Sequence, residues 1–133
     1  MNRRSYLKGM FATAGLGAVC AQAADKETPN PIVLHVDLSV DPAKEQEMLH
    51  NFHTIFKPAA VKFPGYVDVK MCKVRSALQG APPNGVNYRF QLTYQSEEMR
   101  QKWVASDVHI KVWPTIENTL TSKNYVVLLL DSV

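Results

Sequence analysis

Both tryptophans of the chain lie in one stretch, Trp103-Val-Ala-Ser-Asp-Val-His109-Ile-Lys-Val-Trp113-Pro114-Thr-Ile116, with a histidine between them. The two indole rings carry a large apolar surface, because each buries up to roughly 250 Å² when it packs. The proline after the second tryptophan suits the first position of a new helical turn. We therefore expect a helical segment that packs against a sheet formed by the rest of the chain and borders the functional site.

The first half of the domain predicts a strand followed by a helix. Residues 32–40 alternate between apolar and polar side chains, which is the period of a strand. Asp41 and Pro42 then suit an N-cap and a first helical position. One helical face collects the apolar side chains Met48, Leu49, Phe52, Ile55 and Phe56. Pro58 is expected to end or kink this helix, and residues 59–62 can add a further turn.

The second half predicts two strands, a helix and a last strand. Residues 66–74 and 87–94 alternate in the same way, and the long loop between them, residues 75–86, is a candidate gate for a pocket. Ser96 is placed to cap the second helix, and residues 125–130 form an apolar fourth strand. The predicted inner face of the second strand is Val67, Val69 and Met71, and the apolar side of the second helix is Met99, Trp103 and the Ile110 region.

The order β-α-β-β-α-β defines the predicted fold. It is the ferredoxin-like α+β arrangement, a four-stranded antiparallel sheet with both helices on one face. The opposite face of the sheet is left with polar side chains, which either water or a second subunit covers. In the second case two sheets close into a barrel.

Residues 1–23 have the plan of an export signal peptide. Arg3-Arg4-Ser5-Tyr6-Leu7-Lys8 resembles the twin-arginine signal, and Ala21-Gln22-Ala23 is a small-x-small cleavage sequence. An ordinary secretory signal is the alternative. The apolar run is too short to span a bilayer, so we expect an exported protein, periplasmic or secreted, without stable membrane insertion. Residues 24–31 are then a flexible lead-in, and residues 32–133 are the folded domain.

Removal of this peptide leaves 12 basic and 12 acidic residues, so we expect no nucleic-acid binding. Cys72 is the one cysteine left, and it cannot form an internal disulfide. We interpret it as a small apolar strand residue, with a redox role as the alternative. His50 and His53 are interpreted as the solvated edge of the first helix, since metal ligation needs further ligands. No metal site is predicted.

Three motifs carry a resemblance to a known family. They are Val40-Asp41-Pro42-Ala43-Lys44-Glu45, Phe63-Pro64-Gly65-Tyr66 and Trp103-x-x-Ser106-x-x-His109-x-x-x-Trp113. Together with the order of elements, over residues 32–130, they resemble the antibiotic biosynthesis monooxygenase family of dimeric α/β-barrel proteins. The resemblance implies a homodimer and a pocket between sheet and helices in each subunit. Members include cofactor-independent oxygenases of aromatic substrates, haem-degrading enzymes and proteins of unknown activity, so the fold alone does not choose a function.

His109 and Trp103 are candidates on the helical side. His109 lies where the haem-degrading branch places its axial histidine, and it is also suited to acid/base work near neutral pH. The alternative is a surface or capping histidine. Trp103 is a candidate wall for a flat aromatic substrate, with plain core packing as the alternative.

A second group of candidates lies on the polar face. His35 and Asp37 are two residues apart on one strand, so their side chains point the same way. A carboxylate beside an imidazole raises its basicity, which suits proton abstraction from a phenol or quinol. Arg89, for the resulting anion, and Asn87 are the predicted substrate-binding residues here. The alternative is a salt-bridge network in a subunit interface.

The predicted function is that of an exported monooxygenase acting on a small aromatic or quinol-like substrate, with no cofactor. Its catalytic candidates are His109, His35 and Asp37. Two alternatives stay open: a haem-binding or haem-degrading protein that uses His109, and a non-catalytic dimeric ligand-binding module.

Overall fold

The computed structural model describes residues 30–133, and the predicted signal peptide lies outside these residues. The strands are β1 (Ile32–Leu38), β2 (Tyr66–Lys73), β3 (Tyr88–Tyr94) and β4 (Val126–Asp131). The helices are α1 (Glu45–Asn51), α2 (Lys57–Val61), α3 (Glu97–Ala105), α4 (Asp107–Val112) and α5 (Pro114–Glu117). Short 3₁₀ turns lie at Pro42–Lys44 and Pro83–Gly85, and a π-helical turn, Phe52–Phe56, joins α1 to α2.

The four strands form one antiparallel sheet in the order β2-β3-β1-β4. This confirms the predicted ferredoxin-like fold. The helices cover one face, here called the inner face, and β2 and β4 are the edge strands. Within residues 30–133 no helix is both long and apolar enough to cross a membrane.

The core lies between the inner face and the helices, as the alternation predicts. The side chains that β1 and β3 turn inward are buried almost completely: Ile32, Val36, Leu38, Tyr88, Phe90, Leu92 and Tyr94. Leu34 is only partly buried, although it lies on the same face. This gap in the packing marks the place where the sheet and the helices separate.

The first helix departs from its predicted face at the π-helical turn. Met48, Phe52, Phe56 and Ala60 are spaced four residues apart, and all are buried. In a regular α-helix such a row drifts by about 40° per step, because 3.6 residues make a turn. The wider turn, in which the Lys57 amide bonds to the Phe52 carbonyl, offsets this drift. Ile55, predicted on the buried stripe, is consequently 38% exposed.

Pro58 does not end this helix: the helical path continues through it to Val61, over the residues that were predicted to add a turn. The π-helical turn directly precedes this proline. Proline lacks an amide hydrogen and crowds the carbonyl one turn before it, and a locally widened helix relieves both problems.

A β-bulge in β2 shifts one side chain away from its predicted face. Tyr66 pairs with Tyr94 and Asp68 with Thr93, so Val67 is an extra residue without an opposite partner. It was predicted on the inner face beside Val69 and is instead 47% exposed. Val69 itself is buried, as predicted.

Ser106 divides the tryptophan segment into two helices. Its backbone is extended, with ψ of 152°, so α3 ends and α4 begins at this residue. The Ser106 hydroxyl donates to the Trp103 carbonyl at 2.7 Å and accepts from the His109 amide at 3.1 Å. The break turns His109 and Val112 toward the core. Ile110, predicted on the apolar side, therefore faces outward and is 61% exposed.

Candidate functional site

A cavity of about 210 Å³ lies where the inner face and the tryptophan segment separate. The sheet supplies its aliphatic floor, formed by Leu34, Val36 and Leu92. Aromatic rings supply its walls: Phe56, Phe90, Trp103, Trp113 and Tyr125. Arg100, Val104 and Val127 complete the lining with His109, and Val104 is an exposed residue. An apolar cavity with a few polar groups is the usual form of a small-molecule site.

His109 is the imidazole of this cavity. Its backbone amide is fixed by Ser106 in the first turn of α4. Its ring lies parallel to Trp113, at 7° with centroids 6.4 Å apart, and edge-on to Trp103 at 5.3 Å. Among the described residues neither ring nitrogen has a hydrogen-bond partner, so both are available to a ligand. Burial lowers the pKa of His109 below its ordinary value of 6.5, which keeps the ring neutral near pH 7.

A short hydrogen-bond chain fixes the wall opposite. Trp113 Nε1 donates to the Tyr125 hydroxyl at 3.1 Å, and this hydroxyl donates to the Glu117 carboxylate at 2.6 Å. Burial and the bond to Glu117 raise the pKa of Tyr125, so it stays protonated. The indole against which His109 stacks is therefore held in one orientation.

An arginine whose charge is balanced by a bonded carboxylate lies at the edge of the cavity. Arg100 donates through Nε and Nη2 to the two carboxylate oxygens of Glu97, both at 2.7 Å. Gln101 donates to the same carboxylate at 2.8 Å. The hydrogen bond from Arg100 lowers the pKa of Glu97 to about 2, so the pair is ionised at neutral pH.

The polar candidates of the sheet lie on its outer face, away from this cavity. Asp37 accepts two hydrogen bonds from Arg89, at 2.7 and 3.2 Å, and His35 bonds through Nε2 to Gln91 Oε1 at 3.1 Å. These contacts follow the cross-strand register of β1 and β3. These residues form an outer-face cluster. The cluster agrees equally well with the predicted salt-bridge network and with the predicted catalytic group.

Asn87 is engaged with the main chain. Its side-chain oxygen accepts from the Val40 amide at 2.8 Å and its nitrogen donates to the Val40 carbonyl at 2.9 Å. This bond pair ties the start of β3 to the chain beyond β1. The structure does not bring Asn87 into the cavity.

The loop of residues 75–86, which was a candidate gate, lies over the outer face. Residues 77–86 border a groove of about 430 Å³ with Cys72, Asp37 and Arg89. None of the residues that line the His109 cavity belongs to this loop. Cys72 is an exposed thiol on β2 rather than a packed apolar residue.

Of the predicted site residues, the structure therefore brings together Trp103 and His109. His35, Asp37 and Arg89 form a separate cluster on the other side of the sheet. Three neighbours of the cavity were not predicted from the sequence: Arg100, Glu97 and Tyr125. The spacing of three between Glu97 and Arg100 was a usable signal, because such pairs meet on a helix.

The volume of the cavity is small for haem. A volume of about 210 Å³ lies below the range of roughly 300–1,000 Å³ that holds drug-sized ligands. No group of three or more potential metal ligands occurs among residues 30–133.

Solved structures show the same fold at low sequence identity. A dimeric ferredoxin-like protein of unknown function from Jannaschia sp. matches with a TM-score of 0.65 and 13% identity, over 77% of this chain and 99% of that one. A protein of Caulobacter crescentus, provisionally assigned as an antibiotic biosynthesis monooxygenase, matches with a TM-score of 0.64 and 17% identity, over 84% and 98%. The hydroxynitrile lyase of Passiflora edulis matches with a TM-score of 0.65 and 11% identity, over 79% and 95%.

These neighbours confirm the predicted ferredoxin-like fold, which this chain shares with the Jannaschia and Caulobacter crescentus proteins. They include proteins with different activities, so the similarity establishes architecture alone. No protein-family model matches the sequence, and no curated protein matches it.

Proposed function

We propose that the protein is a cofactor-independent monooxygenase that oxidises a small aromatic phenol or quinol, with His109 as the base. One observation carries this proposal: a neutral imidazole with unbonded nitrogens lies in a cavity whose walls are aromatic rings. A base that is neutral at pH 7 is ready to take a proton. The provisional assignment of the Caulobacter crescentus neighbour supports the same reaction class.

The proposed reaction needs only the substrate and O₂. The phenol hydroxyl gives its proton to His109, and the phenolate ring carbon transfers electrons to O₂ in two single steps. A C–O bond forms, and the imidazolium returns the proton to the outer peroxide oxygen. The O–O bond then breaks as the ring carbon loses its hydrogen as a proton, which joins the departing hydroxide. One phenol and one O₂ give one quinone and one water, and the apolar lining limits side reactions with solvent.

Oxygen uptake with a panel of phenols and quinols tests this function. We expect one O₂ consumed per quinone formed and, with ¹⁸O₂, one labelled oxygen in the product. His109→Ala should reduce the rate by roughly 10²-fold or more, the usual contribution of a general base. His35→Ala is the matched control, because His35 lies on the outer face.

Three results would contradict this proposal and favour another one. Loss of activity in His35→Ala but not in His109→Ala moves the base to the outer face. Saturable ligand binding without oxygen uptake indicates the non-catalytic ligand-binding module. A saturable Soret shift on haem titration, lost in His109→Ala, restores the haem alternative, which the size of the cavity argues against.

We also propose that the working form is an exported homodimer. The dimeric Jannaschia neighbour supports the assembly, and so does the apolar strand β4, whose residues 126–130 are between 38% and 54% exposed. Export rests on the twin-arginine-like residues 1–23. A periplasmic product that begins at Ala24 is the expected result of N-terminal sequencing. Retention of the full chain in the cytoplasm contradicts it.

A further inference from the structure

We propose that Glu97 determines the specificity of the cavity: by neutralising Arg100 at its edge, Glu97 makes the cavity select uncharged ring compounds over ring carboxylates. This inference deepens the proposed function, since it names the class of ligand that the same cavity admits. It does not depend on catalysis, because it concerns binding alone.

Arg100 and Glu97 form a bidentate ion pair at the edge of the cavity. Arg100 is the one lining residue that carries a full charge near neutral pH, within the part of the chain that the structure describes. Its Nε and Nη2 both bond to the Glu97 carboxylate. A bidentate pair of this kind uses the donors with which an arginine otherwise recognises a ligand carboxylate. A cavity with an unpaired arginine attracts anions. In this cavity the donors of Arg100 are already bonded to Glu97.

The remaining charges near the lining act in the same direction. The Glu117 carboxylate lies behind the wall, bonded to the Tyr125 hydroxyl. The imidazole of His109 is uncharged near pH 7 because it is buried. Among the described residues that line the cavity or bond to its lining through their side chains, Arg100 is the one cation, and Glu97 and Glu117 are the two carboxylates. An anionic ligand entering the apolar space loses its hydration and gains no uncompensated positive partner.

The tryptophans allow a direct test. Both tryptophans of the chain line the cavity, so quenching of their fluorescence reports ligand entry. The probes are benzamide and benzoate, which have nearly the same shape but differ by one charge at pH 7.5. We expect wild-type protein to bind benzamide at least tenfold more tightly than benzoate. Glu97→Gln should lower this preference at least tenfold, because Arg100 then faces benzoate without a competitor.

Two further variants control the experiment. Glu98→Gln removes the same charge from the same helical turn, but Glu98 is exposed and makes no ion pair with Arg100. It should leave the preference unchanged. Arg100→Gln leaves the Glu97 carboxylate uncompensated and should raise the preference for benzamide. It also keeps the proposal testable if Glu97→Gln fails to fold.

Several outcomes overturn the proposal. One is wild-type protein that binds benzoate as tightly as benzamide, and another is protein that binds neither with saturation. If Glu97→Gln and Glu98→Gln lower the preference for benzamide equally, the effect comes from the overall charge of the helix and not from the pairing of Glu97 with Arg100. If the preference behaves as expected but no oxygen uptake occurs with any phenol, the specificity stands and the monooxygenase proposal fails.

Discussion

Gly65 lies in the turn before β2, and its backbone has a φ of +89°. A Cβ atom at this position would lie 2.5 Å from Met99 Cβ, at the start of a side chain that α3 holds in place. Gly65→Ala therefore combines left-handed strain with a clash, and we expect it to destabilise the fold by about 3 kcal/mol. Urea unfolding of the purified protein measures this loss.

Gly80 supplies the control for that prediction. Its φ is +73°, but nothing lies within 4 Å of the Cβ it would gain. Gly80→Ala carries the strain without the clash and should cost about 1 kcal/mol. Equal losses in the two variants would show that Met99 moves aside freely.

Burial of His109 makes the stability of the fold depend on pH. Its folded-state pKa lies below the ordinary 6.5, so the unfolded chain takes up a proton first as the pH falls. The stability that comes from the neutral His109 ring is fully present above about pH 6.5. It is lost as the pH falls through the lowered folded-state pKa. We expect the unfolding free energy to drop less between pH 7.5 and 5.5 in His109→Gln than in wild type. Parallel pH profiles of the two proteins would contradict this account.

At the scale of elements, Ser106 connects the two helices that carry Trp103 and His109. Ser106→Ala removes the cap of α4 and the bond to the Trp103 carbonyl, at a cost of about 1 kcal/mol. The same change should weaken ring-ligand binding, because His109 lies in the first turn of the uncapped helix. Denaturation and tryptophan quenching measure the two effects separately.

Asp41→Ala is the matched control. Asp41 caps the turn Pro42–Lys44 through its side chain, accepting from the Ala43 amide at 2.9 Å, and no residue of that turn lines the cavity. It should lose similar stability while ligand affinity changes little. Equal losses of affinity in both variants would assign the effect to the helices in general.

Elements with a regular period were predictable, and local irregularities were not. The alternation in β1 and β3 identified their buried side chains because a strand has a fixed period of two. Ile55, Val67 and Ile110 were misplaced where a π-helical turn, a bulge and the Ser106 break shift the register. The π-helical turn and the Ser106 break are local, and the bulge is a feature of the pairing of β2 with β3. A regular period along the chain does not contain any of these changes of register.

At the scale of the whole molecule, the sheet separates the two groups of candidate residues. The sequence placed Trp103 and His109 in one helical segment and His35 and Asp37 on a polar strand face, and both placements are correct. It did not show that the two groups lie on opposite faces of the same sheet. That separation makes one group available to a small ligand within the subunit and the other to a partner.

The outer face changes character from one edge of the sheet to the other. Across one row, the register aligns Lys70, Gln91, His35 and Leu128. The row is polar at β2 and apolar at β4, where Leu128 is 49% exposed. An exposed apolar edge strand of this kind is the usual mark of a surface that a partner covers.

Leu128→Lys should therefore convert the proposed homodimer into a monomer, because the lysine would be desolvated in the interface without a partner. Leu129→Lys is the control: Leu129 is the next residue on β4, is 46% exposed and points to the opposite side of the sheet. Light scattering after gel filtration should give twice the mass of the mature chain for wild type and for Leu129→Lys. For Leu128→Lys it should give the mass of one chain. A wild-type monomer would contradict the assembly itself. A dimer that survives Leu128→Lys but not Leu129→Lys would place the interface on the helical side, beside the mouth of the cavity.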